Sequence, residues 1–262
     1  MQEMKDAIKT INKGKAEDIF WLSIEHFIFA GETFQNFLLK LINTIFKYKL
    51  IPDILKTGLL SPIFKNKGEK TDSKNYLGIA VLPILLKIIE AILKVDLRNG
   101  KFYIQSPLQR RFTENASPLN AAIVLEEEYR EYKDEFFRFF LVLLDAKSAF
   151  DVVVLKMLLR KVYLTGINPA SWSLIDDLHH NTKACIKWMN ELSEEFPIFQ
   201  GVKQGGILSA DLYKIYIEDL LDNFQHEESG CKFGNLTINA ITCADDIALT
   251  SHTKEEMQIW LI

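Results

Sequence analysis

Apolar side chains return at helical spacing through Phe34, Phe37, Leu38, Leu41, Ile42 and Ile45, and residues 15–50 read as helical. Pro52 interrupts that pattern. Leu59 to Phe64 is a short apolar run around Pro62, and a proline's missing N–H suits an edge strand. Lys65-Asn66-Lys67-Gly68-Glu69-Lys70 is a turn-rich basic loop, and Ile79 to Leu82 is the strand expected to return from it. A helix from Leu85 to about Leu97 follows. Ser117-Pro118 opens another, which carries through the charged stretch Glu126 to Glu135. Phe139 to Leu144 is the most strand-like segment of the chain. Beyond Asp151 a helix reaches Leu164 and stops at Gly166. Gly201, Gly205 and Gly206 make a glycine-rich turn ahead of an amphipathic helix, with Leu212, Tyr216, Leu220 and Phe224 at four-residue steps. Residues 231–250 read as one hairpin with Ala244-Asp245-Asp246 at or near its turn. Thr253-Lys254-Glu255-Glu256 resembles a capping box, and the helix it opens reads as unfinished at Ile262.

Composition narrows the class. A chain of 262 residues with 48% hydrophobic and 25% charged residues is an ordinary globular protein of one large or two smaller domains. It has no internal repeat, low-complexity tract or Gly/Ser-rich linker. The net charge of −4 lends nucleic-acid binding no support, although a segregated basic groove is compatible with an acidic chain. Cys185, Cys231 and Cys243 are odd in number and lack CxxC spacing. That argues against a disulfide framework or zinc site and suits a reduced intracellular setting. The N-terminus has mixed charge and no apolar core, so no secretory signal is read. Ile79 to Val95, the most apolar stretch, contains Pro83, Lys87 and Glu90 and is too short to span a bilayer. It reads as an amphipathic core helix, and no membrane partner is expected.

Two acidic motifs stand one hundred residues apart: Leu143-Leu144-Asp145-Ala146-Lys147-Ser148-Ala149-Phe150-Asp151 and Cys243-Ala244-Asp245-Asp246. Each sets a carboxylate at the end of an expected buried strand, where a rigid backbone can aim it. Asp145 alone is an ordinary turn or cap residue. Adjacent carboxylates between tight apolar runs are costly unless a cation compensates, which tilts Asp245-Asp246 towards a ligand role. Between the motifs, Phe199-Gln200-Gly201-Val202-Lys203-Gln204-Gly205-Gly206-Ile207-Leu208-Ser209 joins amides, a lysine and three glycines ahead of a helix. Its backbone N–H groups could approach a triphosphate or a base pair, or the stretch could be a plain surface turn.

In this order the motifs resemble reverse transcriptases of non-LTR (LINE-like) retrotransposons. Upstream, Pro62-Ile63-Phe64-Lys65-Asn66-Lys67-Gly68, Lys74-Asn75-Tyr76-Leu77-Gly78-Ile79, Phe112-Thr113-Glu114-Asn115 and Ser117-Pro118 resemble the same family, over roughly residues 10–252. The resemblance implies an α+β fold: a right-hand polymerase with fingers and palm, an antiparallel palm sheet packed on helices, and no thumb. Residues 1–105 would be mainly fingers and 106–262 mainly palm, with 166–200 returning towards the fingers, in a single reverse transcriptase domain. It implies RNA-directed DNA polymerase activity on an RNA template and DNA primer, joining dNTPs to the primer 3′-hydroxyl. The cofactor would be two Mg²⁺ ions, with Mn²⁺ a substitute. Asp145 would be the first metal ligand, Asp245 the second and Asp246 their acidic neighbour. Phe150 would be an aromatic gate against a ribose 2′-hydroxyl, and Gln200 and Gly201 would contact the incoming nucleotide and templating pair. A nuclear destination follows from the resemblance alone.

Departures from the family pattern set further expectations. Leu77 stands where the family usually has an arginine that neutralises the triphosphate. Lys65, Lys67 or Lys70 would have to substitute, and a flexible lysine does not reproduce a guanidinium fork. Arg110-Arg111 precedes Phe112 where a glycine-containing turn is expected, Lys13 to Asp18 keeps only part of a fingers entry motif, and Cys243 replaces a common aromatic. The chain is read as truncated after the metal-binding hairpin, without primer grip or thumb, and with no room for an endonuclease domain ahead of the fingers. The alternative is a catalytically inactive remnant that at most binds nucleic acid. A helical interaction protein is outweighed by the ordered motifs. Group II intron and telomerase-like polymerases share the palm logic but fit the upstream segments less well.

Overall fold

The structure, a computed structural model, describes residues 1–113, 115–135, 138–189, 191–226, 230–233 and 236–260. Glu114 of the Phe-Thr-Glu-Asn segment and the chain end at Ile262 lie outside them. Helices α1 (Gln2–Thr10), α2 (Ile24–Ile28) and α3 (Glu32–Tyr48) precede strands β1 (Thr57–Phe64) and β2 (Tyr76–Val81). Then come α4 (Ile84–Arg98), α5 (Pro118–Asp134), β3 (Phe140–Asp145), α6 (Leu155–Leu164) and α7 (Pro169–Leu178). Short strands β4 (Lys183–Trp188), β5 (Glu191–Leu192) and β6 (Phe196–Pro197) lead to α8 (Ser209–His226). The last described elements are β7 (Cys231–Phe233), β8 (Leu236–Ile238), β9 (Ala240–Cys243), β10 (Asp246–Ser251) and α9 (Lys254–Ile259). Two compact units result: Met1–Tyr103 with Phe150–Tyr213, and Ile104–Ala149 with Lys214–Ile262. The first takes in more of the middle of the chain than residues 166–200.

In the first unit, Met4 and Ile8 of α1, Phe27 of α2, Leu38 and Ile42 of α3 and Ile88 of α4 close one apolar cluster. The helix expected over 15–50 is broken into α2 and α3, and local polar chemistry explains why. Buried Asp18 accepts the backbone N–H groups of Phe20 (2.8 Å) and Leu22 (3.0 Å) with one oxygen. Its other oxygen takes the N–H of Ile84 at the start of α4 (2.8 Å), an amide with no partner inside its own helix. Such side-chain bonds compete with the helical ladder. Ser23 then caps α2, and Gly31 stands at the start of α3.

The first unit's sheet runs β2-β1-β4-β5, with β6 also on β4, so β1 is interior and not the edge strand expected from Pro62. The proline is tolerated because β4 pairs in parallel only with Thr57 to Leu60, whereas Pro62 pairs with Gly78 across β2. Helix α7 opens on Asn168, whose side chain accepts the Ala170 N–H at 2.8 Å, with Pro169 in its first turn.

The second unit holds an antiparallel sheet in the order β3-β10-β9, backed by helices. Phe140, Val142 and Leu144 alternate along β3 towards a cluster of Leu221, Phe224, Ala240, Leu249 and Met257. Residues 231–250 form two hairpins rather than one, since β7 pairs with β8 and β9 with β10. The side-chain amide of Asn239, between them, donates to the Phe224 carbonyl. On α8 Leu220 is exposed whereas Leu221 and Phe224 are buried, so the four-residue steps from Leu212 do not follow one buried face. Ser117 caps α5 by accepting the Asn120 N–H at 3.2 Å. No described helix is long and apolar enough to cross a membrane.

Glu128 of α5 is fully buried and accepts the Thr250 hydroxyl at 2.8 Å. Burial pushes its carboxyl up to about 7, against the opposing pull of hydrogen bonds from Thr250 and Cys231. A folded-state value above the unfolded one means the fold holds the proton more tightly. Glu128 therefore favours folding most below the unfolded value near 4.5, and its contribution falls as pH rises towards 7. We predict that Glu128→Gln reduces the decline of unfolding free energy between pH 5 and 7 by up to about 1.4 kcal/mol per pH unit. Denaturant titration across that range checks it, and an unchanged slope would contradict it.

Candidate functional site

In the second unit the register of β3 and β10 sets Asp145 directly opposite Asp246. Residues directly opposite in an antiparallel pair share a face, with Cβ atoms about 4.5–5.5 Å apart. Asp145 and Asp246 are exposed, and Asp245 is half-buried. Ala244 and Asp245 form the two-residue turn between β9 and β10. Ala244 is left-handed (φ +64°) and Asp245 is not, the pattern of a type II′ hairpin turn. The sequence thus placed the acidic turn well. The cross-strand neighbour of Asp145 is nevertheless Asp246, with Asp245 at the turn beside it.

The carboxylate face is also the face towards α5. A groove of about 370 Å³ lies there, lined by Ala121, Leu125, Leu143, Ile241 and Cys243 together with Asp145 and Asp246. Within this unit, among the described residues, none of the three aspartates has a lysine or arginine within ion-pair distance. No set of three or more His, Cys, Asp or Glu side chains among the described residues converges into a metal cage. Opposed carboxylates with open coordination suit a hard divalent ion that keeps water or phosphate oxygens as its remaining ligands. The donor set fits such an ion.

In the first unit, Phe150 stacks on Tyr213, ring centroids 4.8 Å apart and planes 16° from parallel. Its carbonyl accepts the Val202 N–H at 2.8 Å, the Val153 carbonyl accepts that of Gly201 at 3.1 Å, and Gln200 donates to the Val152 carbonyl at 2.8 Å. A Cβ on Gly201 would lie 2.7 Å from the Asp151 oxygen. Gly205, at φ +116°, would bring a Cβ within 2.4 Å of the Ala80 oxygen, and the Gln204 carbonyl accepts the Ala80 N–H at 2.7 Å. Buried Glu90 of α4 accepts the Ile207 N–H at 2.7 Å. The glycine-rich turn is therefore anchored to the residues after Phe150, to β2 and to α4. Its glycines Gly201 and Gly205 permit close contact with the protein itself.

Lys203 is turned inward, donating to the Lys56 carbonyl at 3.0 Å, and burial lowers it to about 8. Lys65 and Lys67 stand exposed on the loop between β1 and β2, where Lys65 donates to the Lys74 carbonyl at 3.4 Å. Leu77 pairs with Ile63 across β1 and β2, and both are exposed. An apolar pair therefore occupies the point where the family resemblance places a cation.

A family model described as reverse transcriptase (RNA-dependent DNA polymerase) matches residues 65–261, most of the chain. The chain belongs to the reverse transcriptase family. Among its relatives, the retrovirus-related Pol polyprotein of the type-2 retrotransposable element R2DM of Drosophila melanogaster is 25% identical over 232 residues. That match covers 88% of this chain and 22% of the polyprotein. An uncharacterized 149 kDa protein of transposon TX1 from Xenopus laevis is 20% identical over 260 residues, covering 98% of this chain and 20% of that protein. The chain thus spans about a fifth of the length of these curated relatives. Among solved structures, Candida tropicalis telomerase in complex with a TWJ fragment of telomeric RNA superposes with a TM-score of 0.53 at 13% identity. It covers 83% of this chain and 40% of that one. Telomerase from Candida albicans, also with a TWJ fragment, gives 0.51 at 11% identity over 84% of this chain and 42% of its own. At such identities the likeness is one of fold, and it bears out the mixed α+β polymerase architecture of fingers and palm. Reverse transcriptases generally use divalent metal ions.

Sequence reading passed over two residues that shape this reverse transcriptase domain. Gln109 is 1% exposed, and its amide bonds the backbone of Ala244 on both sides. Glu90 anchors the glycine-rich turn. Neither lies in a motif; the available signal for Glu90 was a carboxylate in the apolar run Ile88 to Leu93. We predict that Gly205→Ala destabilises the first unit by about 1–3 kcal/mol, from its disallowed φ and its clash with Ala80. A lowered midpoint in chemical unfolding checks it, and an unchanged midpoint would show that the turn is not so held.

Proposed function

We propose that this chain is the RNA-directed DNA polymerase domain of a non-LTR retrotransposon protein, extending a DNA primer along an RNA template with dNTPs. The observation that carries the reading is the register pairing of Asp145 with Asp246 beside the Ala244–Asp245 turn. Asp145 and Asp245 would hold two Mg²⁺ ions, with Mn²⁺ able to replace them, and Asp246 would complete the acidic rim. Hard carboxylate oxygens with room for water and phosphate favour Mg²⁺ over softer metals. When bound, the ions supply Lewis acidity towards the primer hydroxyl and the departing pyrophosphate.

The remaining roles belong to the chain's own residues. Phe150, fixed by its stack on Tyr213, is a rigid aromatic wall suited to excluding a ribose 2′-hydroxyl. Gln200 and Gly201, tied to the residues that follow Phe150, would position the incoming nucleotide against its template base. Lys65 and Lys67 would supply positive charge to the triphosphate from an exposed loop. A nuclear workplace fits this activity. The apolar Leu77 favours the second reading, a chain that binds nucleic acid without turnover.

Two predictions separate these readings. In primer extension on an RNA template with Mg²⁺, Asp145→Asn and Asp245→Asn should each lower the rate on the order of 100-fold or more. Equally negligible extension by the native chain and both variants would sink the polymerase reading. Leu77→Arg should lower KM for dNTP roughly tenfold, the size of one charge-assisted hydrogen bond. An unchanged KM would show that this end of β2 does not serve the triphosphate.

A further inference from the structure

The turn that bears Asp245 is held in a conformation its own residues disfavour. Ala244 has φ +64°, a region that residues other than glycine, asparagine and aspartate seldom enter. Nothing in a two-residue turn compensates for that. The compensation comes from Gln109, far away in sequence and 1% exposed. Its Nε2 donates to the Ala244 carbonyl at 3.0 Å, and its Oε1 accepts the Ala244 N–H at 2.8 Å. The same Oε1 accepts the Arg111 N–H at 3.0 Å, so the amide is fixed from its own segment as well.

The segment around Gln109 runs alongside β9. Gln109 bridges to Thr242 in parallel fashion, the Arg110 N–H donates to the Thr242 carbonyl at 2.8 Å, and the Leu108 carbonyl accepts the Thr242 N–H at 3.0 Å. The Thr242 hydroxyl donates to that same carbonyl at 2.9 Å. These bonds fix the height of Gln109 beside β9, and its side chain then reaches the next residue but one, at the turn. One planar amide offers a donor and an acceptor together, as a peptide group in a neighbouring strand would. Glutamate is not equivalent, because as a carboxylate it presents only acceptors and would oppose the Ala244 oxygen. An aliphatic side chain would leave both backbone groups of a buried residue without partners.

From this geometry we propose that Gln109 is a positioning residue for the metal-binding carboxylates, locking the strained Ala244 so that Asp245 and Asp246 keep a fixed aim towards Asp145. The inference rests on the reading of those aspartates as ion ligands. Its own core, the clamp on Ala244, is separable from that reading.

The test uses the full chain and two readouts: amide hydrogen exchange at Ala244, and Mn²⁺ binding followed by the electron paramagnetic resonance of the free ion. Gln109→Leu should speed exchange at Ala244 at least tenfold and weaken Mn²⁺ binding by about 10–100-fold, as loss of a group that orients a ligand does. Gln109→Glu should act in the same direction at neutral pH. Adding Ala244→Gly to Gln109→Leu should recover much of the affinity, because glycine enters φ +64° without strain and needs no clamp. A side chain that merely contributed stability would give no such specific rescue. Unchanged exchange at Ala244 in folded Gln109→Leu would overturn the proposal, as would a loss of affinity that Ala244→Gly leaves untouched. If no Gln109 variant folds even with Ala244→Gly, Gln109 is a folding residue and the proposal is wrong. If the native chain binds no Mn²⁺, or Asp145→Asn binds it equally well, the ion-ligand reading fails and the proposal with it, whatever the exchange result says of the clamp.

Discussion

The candidate site depends on one strand register. β10 meets β3 with Asp246 opposite Asp145, Ile247 opposite Leu144 and Leu249 opposite Val142. Side chains alternate along a strand, so this register also fixes which face each residue takes. Leu144, Val142, Ile247 and Leu249 turn to the Leu221–Phe224–Met257 cluster, and the two aspartates turn the other way. A slip by one residue would drive Asp246 into that cluster and expose Ile247 and Leu249. Burying an unpaired carboxylate costs several kcal/mol, and so does withdrawing the aliphatic side chains from the core. The hydrophobic residues of β3 and β10 therefore aim the carboxylates, although none of them touches a reacting group.

A second theme recurs in both units. Backbone amides that regular structure leaves without partners are taken by buried polar side chains from distant parts of the chain. Asp18 takes the amide at the start of α4, Glu90 that of Ile207 ahead of α8, and Gln109 that of Ala244. Each stands where the chain makes a sharp change of direction that water cannot solvate. A buried donor without an acceptor is more costly than a single hydrogen bond is stabilising, so such side chains fix loop geometry more strictly than their number suggests. Glu90 shows the cost of this arrangement. Its burial pushes the carboxyl up, and the amides of Ile207 and Leu208, with Lys203 and Lys87 nearby, pull it back.

This division explains what could be read from the sequence. Periodicity revealed α4, α5, α6 and β3 because their apolar residues repeat and their ends carry ordinary signals such as Ser117-Pro118 and Gly166. The acidic hairpin was legible for the same reason, with apolar runs flanking a polar turn. The break between α2 and α3 was not legible, since it depends on Asp18 reaching Ile84 sixty-six residues away. Pro62 misled because one proline cannot reveal that β4 stops pairing at Leu60. Helix α7 and strand β4 were missed although Asn168-Pro169 is a good helix start, because neither carries a residue that any motif draws attention to. The glycines of the 201–206 turn were legible as glycines, but their reason was not. It is the fold that brings the Asp151 and Ala80 carbonyls against Gly201 and Gly205.

The same hairpin carries two unfavourable local features. Like charges at cross-strand positions destabilise a sheet, and Asp145 faces Asp246 with Asp245 alongside. Ala244 adds left-handed strain. The sheet tolerates both because burial rises along β10, from exposed Asp246 to fully buried Leu249, Thr250 and Ser251. At that far end Thr250 donates to Glu128 and Ser251 to Glu256, so the strand is anchored by packing and polar bonds together. An ion that binds the folded hairpin and not the unfolded chain offsets the repulsion and adds stability by mass action. The aspartates therefore need not be stable as a cluster by themselves. They need a rigid strand whose other end is, so that repulsion at one end is carried by burial at the other.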